Sequence, residues 1–178
     1  FYMKKILLNF IVAIIACMSL TSCWYERIDA GCEGIYVNLY GDDKGVGEVS
    51  LCTGVKWYCP FTNDVFEYPT FIQTVDYPSF EVNSKDGTKF TVDPAVLVKI
   101  EDGKSPIIFK KYRKQLDDIV KNTLYVYIRD AARIEFNKYT ADQIVSNRES
   151  VDKSFEDRVR KSFAKEHFIL QQLTPGIG

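Results

Sequence analysis

The groups in this chain with chemistry to offer are five cysteines, at positions 17, 23, 32, 52 and 59, and one histidine, His167. Cys23 stands apart because of what precedes it. Leu20-Thr21-Ser22-Cys23 sets a branched apolar residue and two small ones ahead of a thiol. The small residues let the peptide bond before the cysteine enter a protease, and the sulfur is the nucleophile that could then carry an acyl-bearing group. Cys32, Cys52 and Cys59 have no such context. In an oxidising compartment two of them could close one disulfide, with three pairings open, and three separate half-buried thiols is the equal alternative. Zinc does not fit, because six residues separate Cys52 from Cys59 and only one histidine is present. No metal and no cofactor is expected.

His167 sits in Lys165-Glu166-His167-Phe168, at the end of a helical pattern, where an imidazolium would suit the helix dipole. Neither a nucleophile elbow nor a cysteine-protease signature surrounds any serine or thiol. The histidine therefore reads as structural, and no catalytic residue and no enzymatic activity is expected. Gly41, Gly45 and Gly47 around Asp42-Asp43 lack the Gly-Lys-Ser of a phosphate loop and the distal Glu of a calcium loop. They read as a hairpin loop.

The stretch ahead of Cys23 explains its role. Lys4 and Lys5 precede an apolar run from Ile6 to Met18 broken only by Asn9, the pattern of a signal peptide. As a helix that run would reach about 20 Å, short of the roughly 30 Å hydrocarbon core a spanning helix must cross. With Leu20, Thr21 and Ser22 it resembles a bacterial lipoprotein leader ending in a lipobox. The expected organisation is a signal peptide at 3–22, a lipidated Cys23 with a short tether to residue 27, and one domain over 28–178. One acyl chain gives only marginal binding, whereas two or three tether a protein stably. The expected place is the cell envelope, on the periplasmic face of the inner membrane or on the outer membrane. Lys4 and Lys5 would leave with the leader and no acid would, taking the net charge from −1 to −3. That balance, with no run of five like charges, disfavours nucleic acid and a polybasic lipid-binding arm.

The elements that must position these residues divide by period. Gly34–Tyr40, Gly54–Tyr58, Val65–Tyr68 and Phe71–Val75 read as strands bounded by Gly or Pro. Phe80–Val82 and Phe90–Val92 read as a hairpin about Asp86-Gly87, both turn residues being able to take positive φ, with Val96–Ile100 extending its second arm. From Leu116 the period changes. Leu116, Ile119, Val120, Leu124, Ile128, Ala131 and Ile134 mark one amphipathic helix over 116–136. Thr140-Ala141-Asp142-Gln143 is a capping box that opens a second helix with the stripe Ile144, Val151, Phe155, Val159 and Phe163. Phe168–Leu173 returns as a strand. The fold class is α+β: a twisted, mostly antiparallel sheet followed by amphipathic helices packed on it. Tyr36, Tyr40, Trp57, Tyr58, Phe61, Phe66, Tyr68 and Phe71 could form a membrane-facing belt, but read first as core and cross-strand packing.

Several segments in this order resemble the band 7 or SPFH family of stomatins, prohibitins and flotillins. They are Ile28–Val37 (IDAGCEGIYV), Thr53–Phe61 (TGVKWYCPF), the Ser84–Val92 hairpin, Tyr112-Arg113-Lys114 and Tyr139–Asp152 (YTADQIVSNRESVD). The resemblance implies a non-enzymatic, membrane-bound scaffold that oligomerises and organises lipids or membrane-protein partners, a protease among the candidates. Family members usually have a transmembrane or hairpin segment before the domain, and here the lipobox stands in its place. They also continue into a coiled coil, while this sequence ends at Leu173–Gly178, so its C-terminus is expected to be truncated. The alternative is a lipid-anchored surface binding module without scaffold assembly.

Overall fold

A computed structural model describes residues 24–39 and 49–177, together with Met3. Cys23, the Leu20-Thr21-Ser22 stretch before it and the Gly41–Gly47 loop lie outside the described residues. Among the described residues from 24 to 177, ten strands and four helices follow in order: β1 (Trp24–Arg27), β2 (Cys32–Asn38), β3 (Val49–Cys52), β4 (Val55–Tyr58), β5 (Asn63–Pro69), β6 (Gln73–Asp76), β7 (Phe80–Asn83), β8 (Lys89–Val92), β9 (Ala95–Ile100), α1 (Ser105–Tyr112), α2 (116–136), α3 (Ala141–Ser146), α4 (Arg148–Lys165) and β10 (Phe168–Thr174). The strands form four antiparallel ladders, β1-β4, β3-β2-β5, β10-β9-β6 and β7-β8. Residues 24–27, read from sequence as tether, are paired in register with β4 from Trp24↔Tyr58 to Arg27↔Val55.

The expected α+β architecture is present, with four differences in detail. The β7–β8 hairpin forms, but only Gly87 takes positive φ (85°), because five residues rather than two make the turn. It is closed by Ser84 N–H to Thr88 O at 2.9 Å. β9 does not prolong β8. Asp93-Pro94 turns the chain so that β9 becomes the centre of a ladder with β6 and β10. The sequence stretch after Gly103 holds α1, whose eight residues are too few to display a helical stripe. Pro106 fits its first turn, where no N–H is needed, and Arg113 ends it in the left-handed region. The long second helix is divided at Asn147 (φ −119°, ψ 37°) into α3 and α4.

Helix α2 begins as α-helix at Leu116–Asp118, widens to a π-helix over Ile119–Leu124 and returns to α-helix over Tyr125–Phe136. Along the regular α-helical part the 3.6-residue period from Ile128 turns Ala131, Ala132, Glu135 and Phe136 inward and leaves Ile134 solvent-exposed. The core lies between these helices and the strands. Phe136 of α2 meets Phe155 of α4 edge-to-face at 6.0 Å, and Phe163 and Phe168 are fully or almost fully buried beside them. Each such ring contributes roughly 1.5–3 kcal/mol by leaving water. Phe109 of α1 covers the β3-β2-β5 ladder, 4.6 Å from the Phe66 ring and 6.4 Å from Tyr68.

Candidate functional site

The β1–β4 ribbon carries its side chains on two contrasting faces. Along each strand alternate residues share a face, so Tyr25, Arg27, Val55 and Trp57 project together, and all four are exposed. Tyr25 and Trp57 are 60% and 65% exposed, yet their rings touch at 5.4 Å. Phe61, in the turn leaving β4, is 71% exposed. On the other face, the Tyr58 hydroxyl donates to Glu26 Oε2 at 2.9 Å, and Lys56 Nζ lies 4.9 Å above the Tyr36 ring. The β1–β4 pairing is extended by one further bond, Ile28 N–H to Gly54 O at 2.9 Å. Its outward face is therefore an aromatic pair with a guanidinium beside it. Such groups suit the interface between hydrocarbon and headgroups, because ring bodies are apolar and their polar tips are wet.

The aromatic residues singled out in the sequence divide between two roles. Tyr68 is fully buried, with its hydroxyl on the Lys114 carbonyl, and Phe66, Tyr36 and Tyr58 are half-buried. Trp57, Phe61 and Phe71 are exposed. Tyr40 lies outside the described residues.

Cys32 on β2, Cys52 at the end of β3 and Cys59 in the turn after β4 are half-buried free thiols. Burial, and then the carboxylates of Glu67 and Asp29, push the Cys32 thiol up. Burial also raises Cys52, with Lys56 opposing and Glu67 reinforcing. Both are poor thiolates, since the thiolate is the nucleophilic form. Cys52 packs over Gly34, which faces it in the ladder. A Cβ at Gly34 would stand 2.7 Å from Cys52 Sγ and 2.9 Å from the Cys52 carbonyl oxygen. Among the described residues no three His, Cys, Asp or Glu side chains are grouped to hold a metal ion. His167 (φ 62°) makes the turn between α4 and β10, its Nδ1 3.1 Å from Glu101 Oε2. It is held as a turn residue by a carboxylate and not set against a thiol.

Two carboxylates that the sequence reading passed over organise the helical half. Glu166 accepts from Lys111, from the Tyr112 hydroxyl at 2.6 Å and from the Tyr127 hydroxyl at 3.0 Å. Glu135 accepts from Lys138 at 2.9 Å and from Arg158. Burial alone would raise both carboxyls, but these donors outweigh it and hold both below the ordinary 4.5. Through these bonds they fasten α1, α2 and α4 together. The signal for Glu135 was present in sequence as an acid in step with Leu124, Ile128 and Ala131.

No curated protein matches the sequence. The family model of the SPFH domain / Band 7 family matches residues 26–176, from β1 to the turn after β10. That is a family of membrane-associated, generally non-enzymatic scaffolds. Among the described residues no helix is long and apolar enough to cross a membrane. The match runs through every ladder and helix described above, and the chain belongs to the SPFH domain / Band 7 family.

Proposed function

We propose that this protein is a lipid-anchored, non-enzymatic membrane scaffold. A signal peptide over 3–22 is removed, Cys23 receives acyl chains, and copies of the domain associate laterally to organise partner membrane proteins or lipids in the cell envelope. The observation that carries the reading is the continuity of Cys23 with β1. A strand of four residues spans about 14 Å, so acyl chains on Cys23 would hold the exposed Tyr25–Trp57 face within reach of the headgroups. Acylation and the aromatic face would then act together, one supplying tethering strength and the other orientation. Family membership supports the scaffold role.

Light scattering on the full chain after size exclusion in detergent tests the assembly. Masses of several copies are expected, and monomers at every concentration would rule the scaffold out. The other reading, a lipid-anchored binding module, would survive that result. It draws on the open sheet edge at β6.

A further inference from the structure

We propose that the β6 edge, with the π-helical stretch of α2, is a docking groove for an extended peptide of another protein. The peptide would be apolar at alternate positions and carry a lysine or arginine. The groove has a volume of about 830 Å³ and lies between residues 71–78 and Asp117, Val120 and Lys121 of α2.

The backbone of β6 is aligned for such a guest. Tyr77 N–H donates to Pro94 O at 3.1 Å, and β6 pairs Val75↔Val96 and Gln73↔Val98. In an antiparallel ladder alternate residues turn their N–H and C=O to the same side. Gln73, Val75 and Tyr77 therefore bond β9, and Thr74 and Asp76 direct theirs away from it. The other side of the ladder agrees: Glu101 N–H donates to His167 O at 3.0 Å, so 95, 97 and 99 of β9 face β10 and leave 96 and 98 for β6. No described strand lies beyond β6. The two edges of this sheet also differ. β10 carries a register shift between Leu170 and Gln172, the bulge that commonly blunts an edge, while β6 is regular.

The surroundings define the guest. Phe71 and Ile72, 56% and 52% exposed, stand at the entrance to β6 and favour apolar side chains. Asp117 is paired with Lys121 at 3.6 Å, but Asp76 is exposed and has no ion pair among the described residues. That lone carboxylate favours a cation opposite the strand. The walls are held in place: the buried Tyr77 hydroxyl donates to Val120 O at 2.7 Å, within the π-helix, and its ring stacks on Tyr125 at 5.6 Å. A peptide laid beside β6 would take the free groups of Thr74 and Asp76, the mode by which strand addition gives affinity through main chain and specificity through alternate side chains.

The test uses the full chain in detergent and a fluorescent capped heptapeptide, Val-Lys-Val-Thr-Val-Lys-Val, followed by anisotropy. Saturable binding is expected, weakened at least tenfold when alternate amides along one edge are N-methylated. Thr74→Pro removes an outward N–H, and a hydrogen bond of that kind is worth about three- to tenfold. Asp76→Lys, an exposed change that leaves the fold alone, is expected to invert the preference towards the peptide with glutamate in place of lysine. Equal binding of the N-methylated peptide, an unchanged preference in Asp76→Lys, or no saturable binding would overturn the proposal. Peptide-free dimers that Thr74→Pro converts to monomers would also overturn it, in favour of a second copy as the occupant.

Discussion

The helical half and the N-terminal ribbon use the same kinds of residue to opposite ends. In the helical half, Phe136, Phe155 and Phe163 are completely enclosed, and the acids there, Glu135 and Glu166, are each held by cationic and hydroxyl or guanidinium donors. In the ribbon and the turn that leaves it, Tyr25, Trp57 and Phe61 are left in the open, with the Tyr25 and Trp57 rings tilted against one another instead of lying under a helix. Soluble domains expose single apolar residues routinely, but a contiguous aromatic patch marks a surface meant for something else. The difference separates what holds the fold from what the fold presents: the helices bear the stability, and the ribbon is free to meet a surface.

The largest break of that contrast is in the helical core. Phe155→Ala removes a fully buried ring and is expected to cost about 3–5 kcal/mol of stability by urea unfolding. Next is the β2–β3 pairing beside the ribbon. Gly34→Val sets a side chain against Ile28 and the Cys52 backbone, and overpacking of this kind is expected to cost about 1–3 kcal/mol. A smaller effect follows from acid. Because Glu135 and Glu166 titrate below 4.5 in the folded chain, the stability they confer is complete above that value and is lost as pH falls through their depressed values. Either single change, Glu135→Gln or Glu166→Gln, is expected to lower stability at pH 7 by about 1 kcal/mol and to flatten its decline in acid. Urea midpoints across pH 3–7 would check this. The smallest effect on folding is expected in the ribbon. Trp57→Ser should alter stability by no more than about 0.5 kcal/mol, yet in a Cys23→Ala background it should cut liposome binding about tenfold, the worth of one buried aromatic. Equal stability losses at Trp57 and Phe155 would abolish the distinction.

Sequence periodicity exposed most of this architecture where a residue's surroundings are local. The capping box at Thr140 forms, with Thr140 N–H on Gln143 Oε1 at 3.1 Å, and the stripe Ile144, Val151, Phe155, Val159, Phe163 is buried throughout. Legibility failed where distant segments decide. The π-helix over Ile119–Leu124 is stitched by a hydroxyl from Tyr77, 43 residues away. The donors of Glu166 come from α1 and α2, so nothing near it in sequence announces the cluster. Trp57 and Tyr58 are adjacent and chemically alike, and only the pairing of β4 with β1 determines which one faces solvent. The open edge of β6 depends on which strand pairs with β9, a fact carried by no local pattern.

The intact mass of the membrane-extracted protein, with a Cys23→Ala chain fractionated beside it, tests the anchor most directly. The expected mass lacks the residues before Cys23 and gains acyl chains, and the variant is released or left unprocessed. An unmodified mass in the soluble fraction would contradict a lipid-anchored scaffold.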